Sequence, residues 1–491
     1  MIPAEDMRVP DDRVLLQLPG SRRHMAGLGW DLRDGFTCLW IFPAALVEKS
    51  AADRFVEDLR STLENVVEVP APSRGGAVVG PSATAAPWRA VGGWFDEEPG
   101  DGFLDDYDDG LGAPPWAAAG HARSLPIASP ARLDPSTVEE RLAKELGVVG
   151  DPIEHLTGPE ASGDAPIILV RTWNEDDGVG LARMMRRLTA AVKGGGLAPG
   201  RRPRLLVAAR LEDLPVDTPD SLDAAVAKVH WWWSVWGRLD TATVVAGTDP
   251  SPGSRGSAVK RILGAVRSET VSEVSGPHME VALGLSRAWD GTLGSLRECL
   301  VSLASRAGAE ADGQVRPAVA APAASAYGPV PAQPLRSRWS AGLLDSWEGQ
   351  LRPAVQEWIG GPGAQTQLDK LVWQSQNRVL LPLIDDARAG FTGLLPRFAS
   401  QGLPRLHALY RDRYATVADL ESMELGDIWS GVKQGHIRLS GTQYRRLKAL
   451  RHARNELAHR RPLDDRALSE TVRALTQPVD DDAGPVRRLP T

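Results

Sequence analysis

The chain has 491 residues, 42% of them apolar, with 49 glycines and 38 prolines. That is enough for real hydrophobic cores in roughly two to four domains, with irregular connections between them. Its two cysteines, Cys38 and Cys299, exclude a disulfide scaffold and a cysteine-built metal cluster, and suit a reducing, cytoplasmic setting. The formal net charge is −7, unevenly spread: residues 336–491 hold 23 Lys and Arg against 18 Asp and Glu, the remainder 33 against 45. A basic surplus at one end points to a polyanionic partner there.

The opening MIPAEDMRVPDDRV has neither a basic nor an apolar region, and no apolar run reaches about 18 residues. No signal peptide, membrane helix or membrane association is expected. Residues 14–60 read as a folded start. GFTCLWIFP (35–43) is a buried strand, and 45–65 is a helix whose Val47, Phe55, Val56 and Leu59 share one face. Residues 71–130 are rich in Gly, Pro, Ala and Asp, and 94–110 carries eight acids with no Lys or Arg. This predicts a solvated insertion, or an acidic strip that competes with nucleic acid for a basic surface elsewhere.

Order returns with a helix over 137–150. Apolar runs at 165–173, 202–211 and 240–248 read as strands, separated by helices over 181–195 and 221–239. Strands alternating with helices predict a parallel sheet covered on both faces. Residues 256–306 read as a helical appendage, and the Ala/Pro-rich 307–337 as a linker. From 338 onward no strand is expected; four or five helices predict an all-α bundle over 338–478.

Within 230–240, HWWWSVWGRLD places four tryptophans in six residues. On a helix Trp232 and Trp236 share a face and Trp231 points elsewhere. The packing reading buries the helix against the sheet with one ring exposed; the other reading is a docking surface for a protein partner. The turn after the first strand, PAALVEKS (43–50), ends in Lys49 and Ser50 as a G-x-x-x-x-G-K-[ST] loop does. Pro43 and Glu48 stand where its glycines belong, so the backbone N–H nest for phosphate is compromised. Arg171 follows IILV where a magnesium-holding acid is needed. The element order over 35–306 resembles the STAND/AAA-like P-loop NTPases, and the resemblance implies a degenerate, non-hydrolysing module over 1–255. Lys49 and Ser50 are the positions that match. No metal spacing of histidines or acids appears, and no cofactor is expected.

The most basic stretch is 436–461, with eight Arg and Lys against Glu456 alone. On one helix Arg451, Asn455 and His459 share a face, while Arg454 lies about 140° from His459. Either a helix end near Pro462 or a second copy of the chain is needed to aim both at one phosphate. The residue types suit RNA: an imidazole can move the 2′-OH proton and a guanidinium can hold the phosphate. RNELAH (454–459) in a late helix of an all-α domain resembles the HEPN family with its R-x4–6-H signature. The resemblance implies a metal-independent endoribonuclease, dimeric through the C-terminal bundle, leaving 2′,3′-cyclic phosphate and at home in toxin and antiphage systems. Arg454 and His459 match the signature and Asn455 its polar position; Arg445, Arg446, Arg451, Arg460 and Arg461 are candidate RNA-binding neighbours. The expectation is therefore a multidomain protein, with an α/β module and helical appendage controlling a C-terminal ribonuclease. The rival readings are a non-catalytic adaptor and a nucleotide-dependent switch.

Overall fold

The computed structural model describes residues 12–72, 137–158, 165–248, 257–310, 328 and 330–477. The acidic 94–110 stretch, and most of the expected insertion and linker, lie outside the described residues. Met1–Pro70 and Val138–Thr491 form one compact unit, and Ala71–Thr137 is a second.

Among the described residues two helices precede the first strand, α1 (Asp12–Gln17) and α2 (Pro19–Arg33). Pro19 pre-sets the first turn of α2, and Met25, Leu28 and Leu32 are buried on its inner face; its three glycines hide that spacing in the sequence. There follow β1 (Thr37–Phe42), α3 (Ala44–Glu48), α4 (Ala51–Arg60) and β2 (Val66–Glu68). Helices α5 (Val138–Glu145) and α6 (Pro152–Thr157) lead to β3 (Ile167–Arg171), α7 (Gly178–Gly194), β4 (Arg204–Arg210), α8 (Thr218–Ser221), β5 (Ala227–Trp231) and α9 (Arg238–Gly247). The five strands make one parallel sheet in the order β2-β3-β4-β1-β5. All six residues of β1 are buried, as a strand covered on both faces requires.

The expected assignments over 221–248 are exchanged. Residues 227–231 form strand β5 beside β1, and the Val-rich 240–248 belongs mostly to helix α9. The β-branched run misleads because its context decides. Asp240 is 3% exposed and takes the backbone N–H of Gly237 at 2.8 Å, capping α9, and that of Gly20 at 2.7 Å.

Helices α10 (Ala258–Ser275), α11 (Met279–Ala288) and α12 (Leu293–Glu310) occupy the expected helical stretch. After α13 (Arg336–Ser340) the expectation of no strand fails. Strands β6 (Leu344–Trp347) and β7 (Gln350–Pro353) form an antiparallel hairpin. Its two loop residues, Glu348 and Gly349, have φ of 52° and 73°, the double left-handed conformation that suits a two-residue hairpin. The remainder is helical: α14 (Ala364–Gly393), α15 (Leu395–Phe398), α16 (Leu403–Tyr410), α17 (Leu425–Lys433), α18 (Gly441–Ala458) and α19 (Asp465–Thr476).

Two cores lie inside the compact unit. One surrounds the sheet and takes in Leu368, Leu371 and Val372 from the start of α14. The other joins Leu380, Ile384 and Phe391 further along α14 to α17, α18 and α19, and takes in Val266 of α10. Helices α14 and α10 each contribute to both. Among the described residues no helix is long and apolar enough to cross a membrane.

Candidate functional site

Helix α18 starts at a reciprocal cap. Ser440 Oγ accepts the Gln443 N–H at 3.2 Å, and Gln443 Oε1 accepts the Ser440 N–H at 3.0 Å. It stops just as definitely. Arg460 sits at φ 58°; its N–H bonds Leu457 O at 3.1 Å and the Arg461 N–H bonds Glu456 O at 2.9 Å. This pair of bonds is a Schellman stop, with arginine where glycine is usual. The helix end and the segment beyond are pinned to α14: Trp373 Nε1 donates to Leu457 O at 2.6 Å, and Gln376 accepts the Leu463 N–H at 2.6 Å and donates to Leu463 O at 2.9 Å.

The inner face of α18 carries Arg446, Leu447, Leu450, Ala453 and Leu457, all buried. The opposite face carries Arg445, Lys448, His452, Asn455 and His459, spaced by three and four. Asn455 is half-buried and the other four are exposed. His459 is the residue that closes the helix, its N–H on Asn455 O at 3.0 Å. Among the described residues, none bonds its imidazole.

Arg454 stands elsewhere. Its guanidinium is 3.3 Å from Glu424, just ahead of α17, with both side chains about half exposed (47% and 56%). One chain therefore groups His452, Asn455 and His459 and leaves Arg454 on another flank, about 140° around the helix from His459. Of the candidate RNA-binding arginines, Arg445, Arg460 and Arg461 are exposed. Arg451 is half-buried over the Trp429 ring at 5.4 Å. Arg446 is not on the surface. It is 6% exposed, lies 5.4 Å from the Phe391 ring, and burial lowers its pKa. Position 446 falls on the side of Leu447 and Leu450, so it cannot join an outward basic face. Glu424, Trp373 and Gln376 escape sequence reasoning because each meets α18 or the segment after it across at least 30 residues and carries no local motif.

The carboxyl end of the sheet is differently furnished. Helix α3 begins directly after Pro43, so a helical turn occupies the place of a phosphate loop. Lys49 is ion-paired with Glu280, and Ser50 is left-handed at φ 57°. Arg171 is held by Glu68 at 2.8 Å, Glu57 at 3.1 Å and Asp53 at 3.8 Å, and Arg210 by Asp213 at 2.6 Å. Each of these three cations already serves one or more carboxylates, so none stands ready for a phosphate.

The tryptophans do not lie on a helix, and none of the four is a free ring. Trp231, Trp232, Trp233 and Trp236 are 5%, 1%, 6% and 8% exposed. Trp232 extends the ladder of β5 through its N–H to Ile41 O at 2.8 Å, and its ring packs 4.4 Å from Phe55 and 5.3 Å from Phe42. Trp231 meets Trp339 at 5.3 Å and lies beneath Arg336 at 4.7 Å. Trp339 Nε1 donates to Trp232 O at 3.1 Å. The docking partner of this segment is the chain's own residues 336–339, which removes the exposed ring on which an external partner was argued. Among the described residues no three His, Cys, Asp or Glu side chains gather as a metal-holding group. The chain matches no family model, no curated protein and no solved structure.

Proposed function

We propose that the protein is an endoribonuclease of the HEPN kind, with α18 carrying its reactive groups. The observation that supports this reading is the outward face of α18, where His459 ends a line of Arg445, Lys448, His452 and Asn455 and its imidazole has no bond among the described residues. A basic line of this length follows a phosphate backbone. His459 takes the 2′-OH proton, and the freed 2′-oxygen attacks the adjacent phosphorus. The bond from phosphorus to the 5′-oxygen breaks, that oxygen gains a proton, and the products carry a 2′,3′-cyclic phosphate and a 5′-OH. Arg454 stabilises charge on the phosphoryl oxygens. Because Arg454 and His459 lie on different sides of one helix, the arginine that meets a given histidine comes from a second copy of the chain. Glu424 holds Arg454 until the copies meet. The α/β part regulates this site as a scaffold that binds no nucleotide.

Full-length protein and a His459→Ala variant incubated with a mixed RNA pool in EDTA give the test. The expected result is cleavage to cyclic phosphate ends, slowed about 10²- to 10⁴-fold by the substitution. Mixing Arg454→Ala with His459→Ala protein restores part of the activity, since each mixed dimer keeps one complete site. Equal rates for wild type and His459→Ala, or no cleavage by the wild type at any protein concentration, reject the reading.

A further inference from the structure

We infer that the outward face of α2 is a binding surface for single-stranded RNA, with Trp30 as the stacking platform. Trp30 is 64% exposed, a costly placement for an indole in a folded chain. Helical spacing of about 100° per residue sets it at the centre of the solvent face, with Arg22 and Arg33 to one side and Arg23 to the other. All three arginines are exposed, and none has an ion pair or side-chain hydrogen bond among the described residues. One turn before Trp30 the chain carries only Ala26 and Gly27, and the space beside Gly27 is open for at least 4 Å. Nothing on the helix itself covers the ring. Of the acids of α2 and its cap, Asp31 is turned about 100° from Trp30 and lies 3.0 Å from His230, and Asp34 is on the outer side, so this face sets three arginines against one acid.

Three cations around one accessible indole match the needs of an unpaired strand, whose bases stack on aromatic rings while arginines track its phosphates. An anionic membrane is the poorer fit. Helices that lie on membranes bury a broad apolar face, and the apolar face of α2, with Met25, Leu28 and Leu32, is already inside the core. A protein interface would surround Trp30 with further large apolar groups, and this face has none. The surface lies in residues 1–335, where acids outnumber bases, so an unpaired arginine cluster stands out there. The inference deepens the reading of the protein as one that acts on RNA, and it rests on that reading for the choice of RNA as the strand.

Its test does not depend on cleavage. A fluorescein-labelled, fully 2′-O-methylated 12-mer has no 2′-OH to attack, so its anisotropy reports binding alone on the full-length protein. Trp30→Ala is expected to weaken binding roughly five- to a hundredfold. The R22Q/R23Q/R33Q variant is expected to flatten the dependence of log K on log salt by about two. Trp30→Ala should leave affinity for a duplex of the same sequence unchanged, since its bases are already stacked. All four substituted side chains are solvent-exposed, and circular dichroism checks that the variants fold. Wild-type affinity in Trp30→Ala, or an unchanged salt slope, overturns the inference. So does binding to phosphatidylserine vesicles that Trp30→Ala abolishes while oligonucleotide binding persists. Failure here leaves the His459 cleavage result standing, and the reverse holds equally.

Discussion

Asp345 of β6 accepts the Ser234 N–H at 3.0 Å and the Ser346 N–H at 2.7 Å. Burial pushes its carboxyl up to about 7, against the pull of those two bonds. Because the folded value lies above the unfolded one, the folded chain holds this proton more tightly. The stabilisation is complete below about pH 4 and is lost as pH rises through about 7. Asp345→Asn keeps an acceptor and removes the charge. Urea unfolding at pH 5 and pH 8 should show the variant gaining stability relative to wild type at the higher pH. An unchanged difference between the two pH values would contradict the assignment. The sequence held no hint of this, since Asp345 falls in a stretch expected to be helical. The same limit applies to the contacts of Arg446 and Arg454, whose residue types suited RNA. Their partners, the Phe391 ring and Glu424, lie far away in the chain.

At the scale of elements, Glu273 of α10 ties several pieces together. It is 1% exposed and accepts from Arg238, which opens α9, and from Arg352 of β7, with Arg378 of α14 at 3.5 Å. The Arg238 and Arg352 guanidinia also lie 4.5 and 4.8 Å from the Trp347 ring. Removing one member of such a buried set strands the others. Glu273→Ala should therefore lower unfolding stability by about 3–5 kcal/mol, read from the urea midpoint. A loss under about 1 kcal/mol would mean that solvent replaces the carboxylate and the set ties little. Element types were legible where periodicity was strong and local, as in β1, β3, β4, α14 and α18. They were illegible in 221–248, where Val-rich α9 mimics a strand and Ala227–Trp231 becomes one by pairing with β1. They were illegible again at β6–β7, where two left-handed loop residues turn an apolar run into a hairpin.

At the scale of the molecule, the helical region beginning at 338 leans on the rest of the compact unit. Leu368, Leu371 and Val372 of α14 are buried in the core around the sheet, and Val266 of α10 completes the core of the C-terminal helices. A fragment of residues 338–477 exposes the first three and lacks the last. It should bind ANS, lose near-UV circular dichroism and unfold without a sharp transition, while the full chain does none of these. Cooperative unfolding of the fragment with a native near-UV signal would show instead that α14 and α18 stand alone. What the sequence determined by itself was the class of each half: a parallel sheet with helices, then a helical region with a basic, amphipathic late helix. Those features follow from hydrophobic spacing and charge along a few turns of chain. The angle of about 140° between Arg454 and His459 was already in their spacing. Tertiary structure decided that the four tryptophans are core, that Arg446 packs on Phe391, and that Glu424 holds Arg454. Each of those outcomes depends on a partner supplied by a distant segment or on the rotation of a helix about its buried face. Spacing along the chain does not encode the partner.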